Sequence, residues 1–169
     1  MRYPIGKFQT SEIISRKAID TWIAEIATFP DRLEKSIQGL NDEQLDTPYR
    51  PEGWTIRQVV HHCADSHINS FTRFKLVLTE DNPQIKPYEE GLWAEGPDYE
   101  LAPYVSISLL RALHFRWTVL LRSISEKDFS RTFYHPGNQR IYRLDINIAI
   151  YAWHGNHHLA HITELRKRK

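Results

Sequence analysis

Four stretches of this chain repeat apolar residues at helical spacing, and proline- or glycine-containing segments separate them. Each such stretch must bury its apolar stripe against the others, which leaves few architectures open. The first takes Ser11 as its cap and carries Ile14, Ala18, Trp22, Ile26 and Phe29. Pro30 is expected to interrupt or re-initiate it, with Leu33, Ile37 and Leu40 continuing the period as a second piece. A second helix starts at the plausible N-cap Thr55 and carries Ile56, Val59, Val60, Cys63, Ala64, Ile68, Phe71, Phe74 and Leu78. A third is expected over 104–123, with Ile107, Leu110, Leu113 or His114, Trp117 and Leu121 inward. The fourth runs from about Leu144 to Arg166, with Asp145 as a cap or early acidic residue.

The connections are long. TPYRPEGW has no room for a regular element, and residues 81–103 hold several prolines and acidic groups. Connections of that length are usually functional or partly structured. In FYHPGNQRIY a loop is expected, in preference to a small hairpin from Phe133–Tyr134 and Ile141–Tyr142. Four helices without a convincing strand pair make an all-α four-helix bundle, as a single domain over 1–169. The long connections imply crossovers in place of a simple up-and-down path.

Net charge is +1, which gives no electrostatic case for nucleic acid or an anionic membrane as partner. The basic tip from Arg166 to Lys169 reads as a solvated helix end favoured by the macrodipole. No apolar run approaches the length of a membrane span, and nothing resembles a secretory leader. The one cysteine, Cys63, has no internal disulfide partner and reads as a small buried side chain. These features point to a soluble, cytoplasmic protein.

Histidine stands out: nine residues, with His61, His62 and His67 in the second helix and His154, His157, His158 and His161 in the fourth. Adjacent helical residues diverge by about 100°, so His61 and His62 cannot both face one ion. His62 is expected to face inward and His61 to the side. In the fourth helix, two pairs have the four-residue spacing that presents two imidazoles on one face: His154 with His158, and His157 with His161. Spacing alone favours neither strongly.

GWTIRQVVHHCADSH followed by HGNHHLAHI resembles the DinB-like superfamily of metal-binding four-helix bundles. In that family a tryptophan begins a helix, a histidine eight positions on is the first ligand, and a C-terminal HxxxH pair supplies the others. The matching positions are Trp54, His62, and His154 with His158. RYPIGKF, RFKLVLTE and KPYEEGLWAE are similar, more narrowly, to the YfiT subgroup, described as metal-dependent hydrolases and akin to bacillithiol transferases. The resemblance covers nearly the whole chain. It implies one divalent metal ion per chain, zinc or nickel, bound by three histidines and water, and a homodimer.

Three neutral imidazoles leave an ion's charge uncompensated, which activates water toward hydrolysis or a low-molecular-weight thiol toward transfer. The expected partner is a small-molecule substrate, and the reaction is open between hydrolase and thiol S-transferase. A structural metal, closed by a fourth ligand such as His157, His161 or His67, is the rival; an interaction module with an incidental metal is a third reading. Asp65, Glu95, Asp98 and Asn156 are candidates to accept the ligands' other N–H. Glu95 and Asp98 are also candidates for a general base or substrate contact. Trp93, Tyr88, Trp153 and Trp117 are candidate pocket walls, although core packing explains them equally.

Overall fold

Side-chain caps place the starts of the first two long helices. The Ser15 hydroxyl accepts from the Ala18 amide, so the first helix begins four residues later than a Ser11 cap would place it. Thr55 caps as expected, in a reciprocal capping box with Gln58. In this computed structural model, which describes residues 2–167, the helices in chain order are α1 (Arg16–Ile37), α2 (Asp42–Leu45), α3 (Ile56–Thr79), α4 (Glu90–Trp93), α5 (Tyr104–Ser123) and α6 (Leu144–Arg166). Arg168 and Lys169, the end of the basic tip, lie outside the described residues.

α1 packs against α5 and α6, and α3 packs against the same two helices. The order around the bundle is therefore α1, α5, α3, α6. The chain passes between opposite corners from α1 to α3 and again from α5 to α6, which is the crossover topology expected. The connection after α3 is partly structured, containing α4 and a 3-10 turn at Pro97–Glu100. No helix of the described residues is long and apolar enough to cross a membrane.

Two further expectations are corrected. The segment after α5 forms an antiparallel hairpin, β1 (Thr132–His135) with β2 (Arg140–Arg143), pairing Phe133 with Tyr142 and Tyr134 with Ile141. The buried Phe133, stacked on Tyr142 at 5.5 Å between ring centres, stabilises it. Tyr134 also exchanges backbone hydrogen bonds with the 83–85 segment, giving the pair a third partner. The second correction is that α1 runs unbroken through Pro30. Ile26, Phe29, Pro30 and Leu33 are all buried, so packing on both sides of the proline holds the helix together.

The apolar core falls into two clusters. One contains Ile19, Ile23, Ile26, Phe74, Trp117, Leu121, Ile148 and Tyr151. The other contains Phe29, Leu33, Val59, Val60, Cys63, Leu110, Leu159 and Ile162. On α3, α5 and α6 the residue at the boundary between the clusters is a histidine: His67, His114 and His154. The bundle is thus two apolar halves with a polar layer across its middle.

Candidate metal centre

One nitrogen from each of His62, His154 and His158 lies within 4.8 Å of the others. Helical geometry produces this: His154 and His158 are one turn apart on α6, and α3 packs beside that face with His62 on it. His62 Nε2 lies 3.2 Å from His154 Nε2. Two nitrogens bound to one ion at about 2.0–2.1 Å would stand roughly 3.0–3.4 Å apart, so the spacing suits a shared cation. Burial lowers the His62 pKa to about 4 and holds His154 and His158 well below the ordinary imidazole range, with neighbouring imidazoles adding to the effect on those two. At neutral pH all three are uncharged, the form that ligates a metal. His62 Nδ1 and His158 Nδ1 are buried without a hydrogen-bond partner. The donor set fits a divalent ion.

The triad opens on a cavity of about 320 Å³, within the range of small-molecule sites. Trp54, Trp153, Tyr3 and Tyr49 supply aromatic surface there, and Arg2, Arg50, Glu52 and Glu90 supply charge. Trp54 lies against the His62 ring, 4.5 Å between centres. Trp153 stacks on His157 at 4.6 Å.

The remaining histidines separate by geometry. His61 turns away, its ring 2.7 Å from Ser106 Oγ and 3.0 Å from the Leu101 carbonyl. His157 and His161 line the cavity beside the triad, and His161 Nε2 donates to the Arg2 carbonyl at 3.2 Å. His67 is not placed as a fourth ligand, because His114 and His154 engage its two nitrogens.

The four polar groups singled out from sequence make their contacts away from the triad imidazoles. Asp65 accepts from the Tyr99 hydroxyl at 2.6 Å. Asn156 bridges Arg32 and Glu25, tying α6 to α1. Glu95 lines a different cavity with Arg57 and Tyr99, and Asp98 lies beside Gly96. The group that meets the far nitrogen of His154 is His67, at 3.1 Å. Among the aromatic candidates Trp153 walls the cavity, whereas Trp117 is fully buried core and Tyr88 packs on Trp93. Cys63 is fully buried, and burial pushes its thiol pKa up, which removes it as a nucleophile.

A bundle of four long helices with three converging imidazoles on two of them defines a class, and comparison identifies it. The DinB superfamily model matches residues 25–162, and the chain belongs to that superfamily. It is 55% identical over 168 residues to proteins of Bacillus cereus and Bacillus anthracis, each named "Putative metal-dependent hydrolase", covering 99% of this chain and 96% of theirs. The solved structure of YfiT from Bacillus subtilis, described as a probable metal-dependent hydrolase with an unusual four-helix bundle topology, superposes with a TM-score of 0.96. It is 49% identical and covers 99% of this chain and 96% of that one. A mycothiol-dependent maleylpyruvate isomerase shares the fold at a TM-score of 0.63 and 14% identity, covering 81% of this chain and 57% of its own.

Proposed function

We propose that this chain is a metal-dependent enzyme that hydrolyses a small substrate, with His62, His154 and His158 holding one divalent ion, zinc or nickel. The observation that carries the reading is the convergence of three neutral imidazoles on one wall of a solvent-connected cavity. Three protein ligands leave open positions, as catalytic sites do and closed structural sites do not. A divalent ion there supplies Lewis acidity toward water or a thiol, undiminished by ligand charge. The chain's own groups do the rest. The imidazoles stay uncharged because they are buried. Trp54 and Trp153 offer flat apolar surface for a substrate, and Arg50 and Glu90 offer charge to orient it.

Thiol transfer is the second reading, supported by the same open site and by the thiol-dependent enzyme that shares the fold. One screen separates the two. Protein reconstituted with zinc or nickel is assayed against ester and amide substrates, and against low-molecular-weight thiols paired with electrophiles. Turnover of an ester or amide that chelator abolishes and metal restores is the expected result. Metal-dependent turnover only with a thiol present would replace hydrolysis by transfer, and no metal-dependent turnover in either arm would overturn both.

A further inference from the structure

A line of hydrogen bonds crosses the bundle and takes one group from each long helix. His114 Nδ1 of α5 lies 2.6 Å from the Ile26 carbonyl of α1. His114 Nε2 lies 2.8 Å from His67 Nδ1 of α3, and His67 Nε2 lies 3.1 Å from His154 Nδ1 of α6. The first contact sets the direction of all the others. A carbonyl only accepts, so His114 Nδ1 carries hydrogen and its Nε2 presents a lone pair. His67 must then donate through Nδ1 and accept through Nε2, and His154 must donate through Nδ1. That leaves the Nε2 lone pair of His154 facing His62.

The Ile26 carbonyl is available for a reason written in the sequence. In a helix it would accept from the amide four residues on, which is Pro30, and proline has no N–H. Helix interiors rarely leave a carbonyl free for an imidazole, and here the proline does so at the level of the metal site. His67 and His114 are both buried, stacked at 4.9 Å and flanked by Phe29 and Trp117. Their rings have little freedom to turn.

We propose that His67 and His114, anchored on the carbonyl that Pro30 frees, are positioning residues that fix the tautomer and ring orientation of His154 for metal binding. The proposal rests on the three-histidine reading above. It assigns to two neutral imidazoles the task that a carboxylate or a single carbonyl commonly performs beside a metal-bound histidine. With no anion in this line, the orientation of His154 is set without offsetting the charge of the cation.

Two measurements test it. In metal-free protein labelled with ring nitrogen-15 histidine, long-range proton–nitrogen spectra report which nitrogen of each ring carries hydrogen. His154, His67 and His114 are each expected as the Nδ1–H tautomer; Nε2–H at His154 or His67 overturns the proposal whether or not metal binds. Zinc affinity by chelator competition is the second measurement. His67→Phe is expected to weaken binding about 10- to 100-fold. Pro30→Ala, which returns an amide to compete for the Ile26 carbonyl, is expected to weaken it less and to shift the His114 Nδ1 signal. Wild-type affinity in folded His67→Phe overturns the proposal, and if that variant does not fold, the wild-type tautomers decide. Failure of wild-type protein to bind zinc or nickel would instead count against the three-histidine reading, leaving the tautomer result to stand by itself.

Discussion

His61 and His62 adjoin in sequence and serve different ends. His62 belongs to the triad and faces His154, whereas His61 links α3 to Ser106 and the Leu101 carbonyl. His61→Ala removes both contacts from a buried position and is expected to lower stability by about 1–3 kcal/mol with metal content unchanged. Urea unfolding and elemental analysis check the two halves, and loss of the metal would show that His61 supports the centre. The divergence of the two rings was legible in the sequence because one residue is a fixed rotation on a helix. Spacing does not separate His154 with His158 from His157 with His161; the packing of α3 beside α6 brings nitrogens of the first pair within 4.8 Å of one on His62. The role of His67 was not legible. Its partner His114 lies 47 residues away on another helix, among leucines on a face that reads as plain core. A histidine accepting from a histidine on another helix leaves no spacing to read.

At the scale of elements, α1 and α6 approach closely where Gly155 meets Phe29. A Cβ on Gly155 would stand 2.8 Å from Phe29 Cδ2 and 3.1 Å from Cε2. Alanine ordinarily favours a helix over glycine by roughly 1 kcal/mol. Here the overpacking penalty of about 1–3 kcal/mol offsets or exceeds that gain, so Gly155→Ala is expected to lower the melting temperature. A rise in melting temperature would mean that Phe29 moves aside freely. Recurring apolar residues bounded by proline- and glycine-containing segments located α3, α5 and α6 to within a residue or two, helped at α3 by the Thr55 cap. Pro30 hides the continuity of α1 in the sequence, since a proline's local cost says nothing of the packing that outweighs it. The hairpin does not stand out in the sequence because its strands are only four residues long and depend on Phe133 and on the 83–85 segment for stability.

At the scale of the molecule, two apolar clusters flank the histidine layer, so the bundle has cores that do not depend on a cation. Chelated protein is expected to keep its helical circular dichroism and lose only some thermal stability; collapse of the helical signal would favour a structural metal. Acid acts on the layer. Burial lowers the His114 pKa to about 4, against about 6.5 in an unfolded chain, so the unfolded state binds protons first. This contribution, on the order of 3 kcal/mol, is fully present above pH 6.5 and is lost progressively as pH falls toward 4. Metal-free protein should therefore become less stable to urea across that window, and a flat profile would contradict a neutral buried layer. The central claim is the metal centre itself, and its most direct test is metal stoichiometry. Dialysed wild-type protein is expected to retain one zinc or nickel per chain, while His62→Ala, His154→Ala and His158→Ala each retain little. Full occupancy in any folded member of the three would contradict the account.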